Sequence, residues 1–111
     1  MTMTSCRLLL AMTTCADQAA AERLARALVE ARLAACVSIG APVRSVYPWQ
    51  GRIEMEQEVV LTIKTVPVHV EALKRFIAEH HDYDVPELLI SPVIDGAEDY
   101  LQWAEQWMTN D

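Results

Sequence analysis

Between Arg7 and Thr14 the chain reads RLLLAMTT, a short apolar run bounded by threonines, which is the pattern of a buried strand. From Asp17 the spacing lengthens. In DQAAAERLARALVEARLAAC, Leu24, Leu28, Ala31 and Ala35 recur at helical intervals with no Gly or Pro between them. The pattern predicts a helix over 17–36 whose first N–H groups are capped by Asp17 or Thr14. Arg26 and Arg32 fall off the stripe and are expected in solvent. After Cys36 the segments CVSIG, VRSVYPWQGRIE and EVVLTIKTV are rich in Val, Ile and aromatics and read as strands. The last two predict a long antiparallel hairpin with its tip near Glu54 to Gln57, where polar residues interrupt the two runs. Pro48 has no N–H to give a ladder, so its stretch belongs at an edge or a bulge, and Gly51 supports a bulge there. Helical spacing returns in PVHVEALKRFIAEHH, with Pro67 in the first turn and Val70, Leu73 and Ile77 as the apolar stripe. ELLISPVI predicts a further strand, with Pro92 on an edge, and DGAEDYLQWAEQWM a short terminal helix.

The order strand, helix, two hairpin strands, helix, strand, helix predicts an α+β fold. It is a ferredoxin-like β-α-β-β-α-β sandwich with an added C-terminal helix, in one domain spanning 1–111. Both main helices are expected on one face of the sheet. The other face, lined by Val, Ile, Leu and Trp, would then present an apolar patch larger than a monomer tolerates, and homo-oligomerisation is the simplest remedy.

Charge narrows the partners. A formal net charge of −7 without a Lys/Arg-rich run argues against nucleic acid or an anionic membrane, while cations are welcome at such a surface. The apolar run Leu8 to Met12 is too short for a signal-peptide core and no stretch is long enough to span a bilayer, so a cytoplasmic protein is expected. Cys6, Cys15 and Cys36 are widely spaced and form no C-x-x-C pair. Neither a disulfide framework nor a structural zinc site is indicated, and each is read as a small buried or half-buried residue.

The chemistry concentrates in EHHDYDVPEL, Glu79 to Leu88. Neutral imidazoles from His80 and His81 suit copper and zinc, and Asp82, Asp84 and Glu87 offer oxygen donors beside them. Adjacent side chains on a helix diverge by about 100°, so a regular helix cannot turn the pair into a simple chelate. The angles put the two rings on either side of the Val70–Leu73–Ile77 stripe, at the edge of the core or of a subunit cleft. A purely structural role competes: histidine at a helix C-terminus opposes the negative end of the dipole. No nucleophile–base spacing and no Gly-rich phosphate loop occurs, which argues against an enzyme.

Five segments in order, LAACVSI (Leu33 to Ile39), SVYPWQGRIE (Ser45 to Glu54), LTIKT (Leu61 to Thr65), HHDYDVPELL (His80 to Leu89) and DYLQW (Asp99 to Trp103), resemble the signatures of the CutA divalent-cation tolerance family over nearly the whole chain. The resemblance implies a ferredoxin-like subunit in a tight homotrimer, with a role in tolerance to copper or another divalent cation. It also implies an inter-subunit cleft whose candidate lining is Tyr47, Trp49, Lys64, Tyr83, Glu87, Tyr100 and Trp103. Some family members use the histidine pair with a cysteine at the end of the first strand. Here Thr13 stands in that register and Cys15 lies two positions later, at the expected loop or helix start, so the candidate metal ligands are His80, His81 and Cys15. Asp82 stands where the family commonly has proline. The trimeric architecture also resembles that of P-II signalling proteins, which makes a trimeric module binding a small effector between subunits the alternative reading.

Overall fold

The central strand β1, Leu8–Cys15, is mostly buried because strands flank it on both sides. The structure is a computed structural model that describes residues 6–109. Its remaining elements are α1 (Gln18–Glu30), β2 (Cys36–Trp49), β3 (Arg52–Thr65), α2 (Val70–His80, led in by a 3-10 turn at Pro67–His69), β4 (Leu89–Val93) and α3 (Glu98–Thr109). The four strands form one antiparallel sheet in the order β2-β3-β1-β4. This is the ferredoxin-like α+β architecture with an added terminal helix. Pro48 and Pro92 both lie on edge strands, where a missing donor costs nothing.

One face of the sheet carries α1 and α2. Ala20, Ala21, Leu24, Ala25 and Leu28 pack with Leu73 and Ile77 over Ala11, Cys15, Val59, Leu61 and Ile63. The stripe Val70, Leu73 and Ile77 is buried as the spacing predicts, and Asp17 caps α1 by accepting the Ala20 N–H at 2.8 Å. The helix α1 ends earlier than its periodicity suggests. Arg32 adopts φ 58°, and the N–H groups of Arg32 and Leu33 turn back to the carbonyls of Val29 and Leu28, a Schellman closure with arginine where glycine is usual. Ala31 to Ala35 therefore form a connection. Arg32, expected in solvent, is half-buried: its guanidinium lies 3.9 Å from the Trp107 ring centroid and donates to the Trp107 carbonyl at 2.8 Å.

The hairpin tip also differs from expectation. It falls at Gln50–Gly51, both with positive φ (49° and 80°), the geometry of a two-residue type I′ turn whose twist matches the strands. Glu54 to Gln57 are strand residues. The bulge lies at the other end of β2, where Gly40 and Ala41 together oppose Val60 between the pairs Ile39–Leu61 and Pro42–Val59. A Cβ on Gly40 would stand 3.3 Å from the Val60 carbonyl oxygen, so the close approach favours glycine.

The second face is not bare. The helix α3 covers one end of it, burying Leu101, Ala104 and Met108 against Leu8, Ala35 and Val66. Arg7 ties α3 down through Glu98 (2.7 and 2.9 Å) and Glu105 (2.6 Å). His69 reaches the Met108 carbonyl at 2.9 Å. Beyond Val59 the β2–β3 hairpin leaves β1 behind and projects as an arm. The arm exposes Val46, Ile53 and Met55, and the cross-strand pair Met12 and Leu89 is exposed on the second sheet face as well.

Candidate functional site

Cys15 closes β1 opposite Val59, so it is a strand residue and not part of the following loop. Strand alternation gives it the same facing as Thr13, toward the helices. Both are buried, and the Thr13 hydroxyl has no hydrogen-bond partner among the described residues. Burial pushes the Cys15 thiol up to about 11, with the charges of Asp82, Asp17 and Glu58 adding to it and Arg23 opposing. A pocket of about 230 Å³ brings Cys15 together with His80, His81 and Asp82, walled by Ala20, Leu24 and Ala27 of α1. Arg23 and Asp82 face each other across its lip at 3.7 Å.

The two histidines are held differently. His80 ends α2, exposed, stacked on Phe76 with centroids 3.9 Å apart. Its Nδ1 lies 3.0 Å from the Phe76 carbonyl, which only accepts, so Nδ1 carries a proton and Nε2 is the ring's lone-pair nitrogen when the imidazole is neutral. His81 is the extended cap residue. Its Nε2 donates to the Thr14 carbonyl at 2.7 Å and its Nδ1 accepts the Tyr83 N–H at 3.0 Å. Both nitrogens of His81 are therefore occupied, in a neutral ring that ties the end of α2 to β1 and to Tyr83. Asp84 and Glu87 do not join this pocket. Among the described residues no three His, Cys, Asp or Glu side chains are disposed to hold a metal ion.

On the opposite face a groove of about 700 Å³ gathers Tyr47, Trp49, Tyr83 and Glu87 with Glu54, Glu56, Glu58 and Asp84. Its anchor is Glu58, buried and accepting the Tyr83 hydroxyl at 2.8 Å. Desolvation raises the Glu58 ionisation, but hydrogen bonds from Ser45, Tyr83 and Thr14 outweigh it and hold the carboxyl below its ordinary value. Desolvation and Glu58 together push the Tyr83 hydroxyl up. Desolvation, then Glu56, raise that of Tyr47.

The predicted cleft set is thus divided. Lys64, Tyr100 and Trp103 lie away from the groove, where Lys64 donates to Ser38 Oγ at 2.7 Å and Tyr100 and Trp103 form a tilted ring pair on α3. Glu54, Glu56 and Glu58 escape a sequence reading that places the hairpin tip near Glu54 to Gln57. Their alternate spacing in EMEQE is the signal that one strand face carries three carboxylates.

A sequence profile described as CutA1 divalent ion tolerance protein matches residues 9–107. A relative from Pectobacterium atrosepticum, named divalent-cation tolerance protein CutA, is 44% identical over 98 residues, covering 88% of this chain and 89% of that one. Among solved structures, CutA1 of the psychrotrophic bacterium Shewanella sp. SIB1 superposes with a TM-score of 0.89 at 41% identity, covering 94% of this chain and 97% of that one. The protein titled periplasmic divalent cation tolerance protein CutA from Archaeoglobus fulgidus gives 0.87 at 29% identity, with 91% and 98% covered. No helix among the described residues is long and apolar enough to cross a membrane.

Proposed function

The chain belongs to the CutA1 divalent ion tolerance family, and on that premise we propose that it serves divalent-cation tolerance by binding the cation itself, copper among the candidates, as a cytoplasmic homotrimer of single-domain subunits. The observation that carries the binding role is the pocket that assembles His80, His81, Cys15 and Asp82 from two ends of the chain. Imidazole and thiol are borderline to soft ligands, so these donors match copper and zinc.

His80 is the entering ligand, because the residue is exposed and its hydrogen bond to Phe76 uses Nδ1, not Nε2. His81 and Cys15 follow only if they give up, respectively, the Tyr83 N–H and a proton that burial holds tightly. The function is binding, in keeping with a family described by ion tolerance, and no catalytic step is assigned to the pocket. The names of the relatives favour a cation over a small organic effector as the ligand. Cys15 and Cys36 are free thiols, which fits a reducing compartment.

Calorimetric titration with Cu(I), Cu(II) and Zn(II) tests the reading. Affinity should fall on acidification, since protons compete for the same nitrogen lone pairs. His80→Ala should weaken binding by about tenfold or more, as loss of one ligand does, and His81→Ala less, since that ring is already engaged. Wild-type copper and zinc affinity in His80→Ala would remove this pocket as the site.

A further inference from the structure

Neither the histidine pocket nor the acidic groove uses the row of side chains beside α3 on the second sheet face. There Cys36 and Lys64 stand opposite each other across the β2–β3 ladder. Lys64 Nζ lies 3.9 Å from Cys36 Sγ and is held by Ser38 Oγ at 2.7 Å. Tyr100 comes over from α3 close enough for its hydroxyl to feel the charge of the same sulfur, and its ring packs 5.6 Å from that of Trp103. Desolvation, then Cys36, raise the ionisation of Tyr100, so its hydroxyl stays a donor.

The three cysteines differ in ways that matter to reactivity. Cys6 and Cys15 are buried, while Cys36 is half-exposed. Cys15 is surrounded by acids, which oppose the thiolate; Cys36 has an ammonium and a phenol beside it instead. The thiolate is the nucleophile, and flanking cations are what separate reactive cysteines from inert ones.

We propose that Cys36 is a site of covalent modification, a nucleophilic thiol that hydroperoxides oxidise to a sulfenic acid, with Lys64 as the proton donor to the leaving oxygen and Tyr100 as a positioning residue. The thiol gives its proton to solvent and the thiolate attacks the terminal peroxide oxygen. An S–O bond forms as the O–O bond breaks, and two electrons pass from sulfur to the peroxide. The departing hydroxide or alkoxide takes a proton from the Lys64 ammonium, which water then reprotonates. The products are Cys36 sulfenic acid and one molecule of water or alcohol, a step reversible by thiols.

The test uses the full chain at neutral pH, exposed to hydrogen peroxide with dimedone as the sulfenic-acid trap, and peptide mass spectrometry to time each cysteine. Cys36 should be trapped about tenfold faster than Cys6 or Cys15, and Lys64→Met should slow it about fivefold while leaving the other two unchanged. Lys64→Arg should restore most of the rate, which a merely structural role for Lys64 does not require. Should Lys64→Met fail to fold, the exposed Tyr100→Phe and the charge-neutral Lys64→Gln carry the same comparison. Equal trapping at the three thiols, a Cys36 that is never trapped in the assembled protein, or a wild-type rate in the folded Lys64 or Tyr100 variants overturns the proposal.

Discussion

Single residues here are set by who donates to whom. Glu58 is buried yet ionised because three hydroxyls converge on it, and each hydrogen bond to a charged acceptor offsets part of the desolvation. Its folded ionisation lies below the ordinary value of 4.5, so the unfolded chain takes up the proton first as the pH falls. The network's contribution is thus full above the ordinary value and is lost as the pH drops through the lower, folded one. Urea midpoints measured from neutral pH down to pH ~3 should fall less steeply for Glu58→Gln than for the parent chain. Tyr83→Phe, which deletes one donor, should cost about 1.5 kcal/mol at neutral pH. Equal pH slopes for parent and Glu58→Gln would show that the carboxylate carries no such linkage.

At the scale of elements, the ends are decided by backbone conformation more than by side-chain pattern. Arg32 sits in the left-handed region at a strain of about 1–2 kcal/mol. The contact with Trp107 and its carbonyl offsets this, which explains an arginine where glycine is usual. The hairpin turn offers a cleaner measurement, since nothing lies within 4 Å of a Cβ built on Gly51 and only its φ of 80° resists substitution. Gly51→Ala should therefore destabilise by about 1 kcal/mol, and Gln50→Asn should gain a few tenths because asparagine tolerates positive φ. Thermal unfolding of the two variants checks both signs; a stabilised Gly51→Ala would contradict the type I′ geometry.

The hairpin arm is a region that a lone chain leaves uncovered. Val46, Ile53 and Met55 are 60%, 73% and 59% exposed on one side of the arm, beyond the reach of α1 and α2. Burying a large aliphatic side chain is worth about 1.5–3 kcal/mol, enough for a few such residues to hold copies together. Sedimentation equilibrium at micromolar concentration should therefore report close to three times the 12.5 kDa chain mass. The pair Ile53→Glu and Met55→Glu should shift the protein toward the single-chain mass with far-UV circular dichroism unchanged. A parent chain that sediments as a monomer would rule the trimer out.

The type and order of the elements, the cap at Asp17 and the buried stripe of α2 were legible in the sequence, because each depends on spacing within a few residues. So were the family signatures. The groove needed the tertiary structure. The bulge at Gly40–Ala41 inserts one residue into β2, and a one-residue shift turns every later side chain to the other face. Without it Tyr47 and Trp49 would face the helices; with it they join Glu58 and Tyr83. The histidine pair divides for a similar reason. His80 and His81 are adjacent and alike in sequence, but the Thr14 carbonyl that occupies His81 comes from a strand 67 residues earlier. Register and hydrogen-bond partner are properties of segments brought together by folding, and local periodicity carries no record of them.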